Sequence, residues 1–138
     1  MEPFVAELRR GGADVESVTL DARSSKQELE GALERISEPV GAVVYAVAVR
    51  AALPPIATRL AEEMAKLKAP AIVISFGSPY FLSAMPNIPA YLVAYSANPV
   101  SQRAAARALL GSIDIGGKLP VTLPGLYPRG HGLEVKRR

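Results

Sequence analysis

Cysteine and tryptophan are absent from the 138 residues, and histidine occurs once, at His131. The first absence excludes a disulfide scaffold, and a single histidine without cysteine is too few ligands for a zinc site, so no metal is expected. Charge is missing from the whole stretch between Lys68 and Arg103. A run that long raises the question of a membrane span, but Pro70, Pro79, Pro86, Pro89 and Pro99 cut it into pieces too short to cross a bilayer. The opening Met1-Glu2-Pro3-Phe4 lacks the basic and apolar regions of a signal peptide, so the chain is read as soluble and without one.

What is present is one ordinary domain's worth of sequence, long enough to bury about two thirds of its surface. The net charge of +3 sits in the tail: Arg129, Lys136, Arg137 and Arg138 face only Glu134, while the other residues balance twelve bases against twelve acids. A Lys-Arg-Arg end can attract an anionic polymer, but no aromatics are interleaved with it to stack on bases. The tail is therefore read as solvated and frayed, and nucleic acid is not an expected partner.

Short apolar runs alternate with amphipathic stretches. Val15 to Leu20, Val40 to Val49, Ala71 to Phe76 and Ala90 to Tyr95 read as strands. The second and third are apolar on both faces, as parallel strands covered on each side must be. Between them, Ser25 and Glu28 form a potential capping box ahead of Leu29, Leu33 and Ile36. Pro54-Pro55 opens a second helix with Ile56, Leu60, Met64 and Leu67 on one side and the pairs Arg59/Glu63 and Glu62/Lys66 on the other. The last helix has Asn98 as N-cap, Pro99 in its first turn, Val100, Ala104, Ala108 and Leu109 facing inward, and Gly111 as its stop.

A first helix runs over Glu2 to Arg10 and stops at Gly11-Gly12. In a strand–helix–strand fold that helix should follow a strand. The expected fold is thus α/β: a mostly parallel sheet flanked by helices in three α/β/α layers, lacking its first strand and leaving the first helix without half its packing partner.

In such a sheet, ligands bind beyond the carboxyl ends of the strands. The candidate binding residues there are Asp21, Arg50, Ser78 and Asn98. They can hydrogen-bond a sugar or a small anion, and an anion could sit where Gly77-Ser78-Pro79 turns from strand to helix. Each has a local alternative: Asp21 and Ser24 can form a turn, Gly77 can supply backbone freedom, and Asn98 can cap a helix. The sequence holds no phosphate-loop pattern, and Ser78 lacks both the G-x-S-x-G spacing and a neighbouring base, since His131 lies far along in a glycine-rich loop. His131 reads as a turn residue or a tail contact. Gly116 to Pro124 reads as an edge or non-strand path because of its two prolines.

Three runs carry a resemblance. They are Ile72-Val73-Ile74-Ser75-Phe76-Gly77-Ser78-Pro79-Tyr80; Ala94-Tyr95-Ser96 with Pro99-Val100-Ser101-Gln102; and above all Ile115-Gly116-Gly117-Lys118-Leu119-Pro120-Val121-Thr122. With the ending Gly125 to Gly132, they resemble the C-terminal α/β sandwich domain of glycoside hydrolase family 3, in its β-N-acetylglucosaminidase (β-N-acetylhexosaminidase) branch. The likeness makes residues 1–128 that domain, truncated at its N-terminus, and residues 129–138 a basic tail. It implies a two-domain retaining glycosidase acting on terminal β-linked N-acetylglucosamine or related β-glycosides, with no cofactor.

In that family the nucleophilic aspartate lies on an N-terminal (β/α)₈-type barrel, the expected partner of this domain. In this branch the acid/base resembles a His-Asp pair on a barrel loop like Lys-His-Phe-Pro-Gly-His-Gly-Asp, which this sequence lacks. In the β-glucosidase branch a sandwich-domain glutamate serves, and no glutamate here matches that loop. The residues alone agree, because a retaining glycosidase usually needs two carboxyl groups about 5–5.5 Å apart and the strand ends offer only Asp21. No catalytic residue is expected in this chain. The alternative is a stand-alone sugar- or anion-binding module without catalysis.

Overall fold

A computed structural model describes residues 1–15, 43–47 and 70–138, together with Gln27 and Glu62, both helical and exposed. Its elements are α1 (Glu2–Arg10), β1 (Val43–Val47), β2 (Ala71–Ser75), a 3₁₀ helix (Pro79–Ala84), β3 (Ala90–Val93) and α2 (Pro99–Leu109). Asp21, Ser24 and Arg50, the Ser25/Glu28 box, the Pro54-Pro55 helix apart from Glu62, the ends of the second expected strand and all of the first except Val15 lie outside the described residues.

The three strands form one parallel sheet in the order β1-β2-β3. Val43 aligns with Ala71 and Val47 with Ser75, while Ile72 aligns with Ala90 and Ser75 with Val93. The fold is α/β, as the alternation of the sequence implies. Along β2 successive side chains alternate between the faces. Ala71 and Val73 pack with Phe81, Met85, Ile88 and Tyr91, so the 3₁₀ segment covers one face. Ile74 and Phe76 pack with Phe4 and Leu8 of α1 and Ala105 and Ala106 of α2, which cover the other. Val73 and Ile74 are each 0% exposed, so both faces are sealed at the centre of β2. Burial of side chains of this size contributes about 1.5–3 kcal/mol each.

The first helix is not short of a partner. Phe4 meets Phe76 edge to face at 5.9 Å between ring centroids, and Leu8 completes the contact with α2 and β2. Glu7 is the buried polar residue between the two helices, accepting from Arg107 Nε at 2.7 Å and pairing with Arg10 one turn on. The Arg107 hydrogen bond, aided by the charges of Arg107, Arg10 and Arg103 and opposed by burial, holds the Glu7 carboxyl below its ordinary value of 4.5.

The inward face of α2 is only partly the expected one: Leu109 packs against the core and Ala108 is half-buried, but the first two turns are rotated. Gln102, Ala105 and Ala106 are buried, whereas Val100 is 67% exposed and Ala104 lies in solvent. Both sets satisfy helical spacing, and a helix rich in alanine gives little apolar contrast between its faces. Gln102 tolerates burial because its Nε2 donates to the Ala97 carbonyl at 2.7 Å. Asn98 caps α2 as expected, and Gly111, at φ +70°, takes the left-handed turn that ends it.

The basic tail is a further difference. Residues 111–119 and 130–138 run antiparallel: Ile115 and Val135 exchange backbone bonds at 2.8 and 2.9 Å, and Leu119 N donates to His131 O at 2.8 Å. Asp114 accepts from the Arg137 N–H at 2.9 Å. The tail is thus held rather than frayed, because it satisfies backbone groups that would otherwise face water. The Gly116 to Pro124 run contains no strand, as its prolines require.

A carboxyl whose pKa falls on folding adds stability above its unfolded value and loses it as pH drops through the folded value. Between about pH 6 and about pH 3 the thermal midpoint of the native chain is expected to fall more steeply than that of Glu7→Gln. Parallel curves would show that the Glu7–Arg107 pair contributes nothing.

Candidate functional site

The described strand ends that could form a site are Phe76 to Ser78 after β2 and Ala94 to Asn98 after β3. Ser75, the last residue of β2, is buried; its Oγ donates to the Ser78 carbonyl at 3.1 Å and accepts from the Gly77 N–H at 3.4 Å. Ser78 is exposed and its Oγ accepts from the Tyr80 N–H at 3.3 Å, starting a 3₁₀ helix of six residues. The expected anion seat at this turn therefore loses its basis. A helix this short sums little dipole, and the serine itself occupies a free donor.

After β3 the chain turns sharply at Tyr95, the only described non-glycine residue with positive φ, at 58°. A bulky side chain in that region carries local strain. Tyr95 is 45% exposed, and the Ser96 N–H reaches back to Ala94 O at 2.7 Å. Ser96 Oγ then accepts from Asn98 N at 3.3 Å, and Asn98 Oδ1 accepts from Ser101 N at 2.8 Å. Ser78 and Asn98 thus both lie at strand ends, each engaged with its own backbone. Asp21 and Arg50 lie outside the described residues.

Among the described residues, two buried polar atoms near this end, the Tyr91 hydroxyl and Gln102 Oε1, have no hydrogen-bond partner. Burial raises the Tyr91 hydroxyl above its ordinary value of 10.0, with the Ser75 hydroxyl opposing and Tyr95 reinforcing the shift. Burial also raises Tyr95. Sequence reasoning missed these tyrosines. Their i, i+4 spacing would put them on one face of an extended run, a pattern core tyrosines share, but Tyr95 lies past β3, where positive φ turns the chain away.

These groups can donate and accept hydrogen bonds. None is suited to exchange a proton near neutrality, since the carboxyl-end loops of β2 and β3 contain no acid, base or histidine and both tyrosines are pushed further from it. His131 is stacked on Tyr127 at 4.2 Å within a turn, its N–H donating to Pro128 O and its carbonyl accepting from Leu119. Among the described residues no group of three or more metal-ligating side chains is gathered, and no helix is long and apolar enough to cross a membrane. Comparison with protein-family models, curated proteins and solved structures gave no match.

Removing the cap tests the local role of Asn98. Asn98→Ala is expected to cost about 1 kcal/mol in urea unfolding. No measurable loss would leave its side chain free for a ligand instead.

Proposed function

We propose that this chain is the C-terminal α/β domain of a family 3 glycoside hydrolase of the β-N-acetylglucosaminidase type. It would support a catalytic (β/α)₈-type barrel rather than perform the chemistry. The observation that carries this reading is the Gly117-Lys118-Leu119-Pro120-Val121-Thr122 run, which follows the alanine-rich helix α2 at the spacing found in that domain.

The parallel sheet covered on both faces supports it, and so do the loops after β2 and β3, which carry no acid or base. In this reading the three-layer sandwich is completed by a first strand encoded upstream, from which α1 would follow as the first crossover. The nucleophile and the acid/base would both lie on the barrel. The domain's contribution would be to hold the barrel's loops in place and to exclude water from the sugar site, and its own hydroxyls and amides would at most touch the carbohydrate.

The reading frame upstream of the Met1 codon in the native genome tests the assignment. It is expected to run open through a barrel carrying a loop like Lys-His-Phe-Pro-Gly-His-Gly-Asp. A stop codon close upstream would sink the assignment and favour a free-standing binding module.

A further inference from the structure

We infer that residues 130–138 form a detachable strap that locks the carboxyl end of α2 and, through it, the end of α1. A helix leaves its last carbonyls without intrahelical partners, and the turn that closes it must be held by something beyond the helix. Here the turn carbonyl of Gly111 accepts from the Arg138 N–H at 3.0 Å, and the Arg138 side chain lies against the same glycine. Leu110, the residue before Gly111, packs against Gly11 at the end of α1. Strap, α2 end and α1 end are therefore joined in series.

The strap is seated at four further places along its length. Asp114 accepts from the Arg137 N–H and pairs with Lys136 at 3.4 Å. Val135 bridges Ile115. Lys118 donates to Gly132 O at 2.9 Å and pairs with Glu134 at 3.3 Å. Leu119 bonds to Gly130 and His131. Gly132 is required at its position, because a Cβ there would run into the Gly117 carbonyl. Two of the tail's cations thus serve intramolecular contacts, Lys136 as an ion pair and Arg138 as a cover for the α2 end.

The strap buries almost nothing apolar. Leu133 is 75% and Val135 50% exposed, and every residue from 133 to 138 faces solvent. An element held by backbone hydrogen bonds and exposed ion pairs, without apolar burial, opens at low cost and independently of the core. The strap therefore opens before the sheet does, and its opening loosens the α1–α2 end alone.

Amide hydrogen exchange on the full chain and on a variant ended after Gly132 tests the inference. In the full chain the Ile115 and Val135 amides are expected to exchange at least tenfold faster than those of Val73 and Ile74. In the shortened chain the Leu110 and Gly111 amides should speed up by about tenfold or more, with Val73 and Ile74 unchanged. Unchanged Leu110 and Gly111 amides would overturn the lock. Equal acceleration at Val73 and Ile74 would overturn the strap's independence. Asp114→Ala, an exposed position, carries the same comparison if the shortened chain does not fold: a smaller acceleration confined to Leu110, Gly111 and the strap supports the inference, and none contradicts it.

Discussion

A parallel strand buried on both faces is the constraint on which the described structure depends. Val73 and Ile74 are neighbours on β2, point to opposite sides and are both sealed from water. That arrangement is stable only if each face has its own cover. The 3₁₀ segment after β2 supplies one, and the α1–α2 pair supplies the other. Placing α1 there brings the Glu7 carboxylate into a largely apolar layer, where Arg107 compensates it. The pair fixes how the two helices sit together, since a carboxylate in that layer without its guanidinium would be costly.

The same constraint shapes the strand ends. A segment that must line both faces of a sheet cannot carry charge, and residues 69–102 carry none. The loops after β2 and β3 lie inside that segment, so these two strand ends hold only hydroxyls, an amide and tyrosines. Ser78 and Asn98 are taken up in starting the next helices. The loops after β2 and β3 can offer hydrogen bonds but no group suited to proton transfer near neutrality.

Much of the architecture was legible because it is written in local punctuation. Helix α1 spans the expected Glu2–Arg10, and Asn98, Pro99 and Gly111 bracket α2 as read. The expected ends of β2 and β3 are one and two residues too long. Phe76 lies past the last paired register with β1, and the positive φ of Tyr95 turns the chain out of β3. The rotation of α2 was hidden because alanines occur on both of its faces, and the burial of Gln102 depends on a carbonyl that hydropathy does not reveal. The Glu7–Arg107 pair spans 100 residues of sequence, and the tail's pairing with residues 111–119 has no periodic signature. Contacts of that kind follow from the assembled fold. Of the candidate site, Ser78 and Asn98 could be placed at strand ends from sequence, but the local use of their side chains emerged only with the loop geometry.

The proposed role is that of a domain that supports glycoside hydrolysis without performing it. The most direct measurement is release of p-nitrophenol from p-nitrophenyl N-acetyl-β-D-glucosaminide by the purified 138-residue chain and by the product of its whole native reading frame. The account predicts turnover by the whole product and none by the chain alone. Turnover by the chain, or its absence from a folded whole product carrying a barrel, would contradict it.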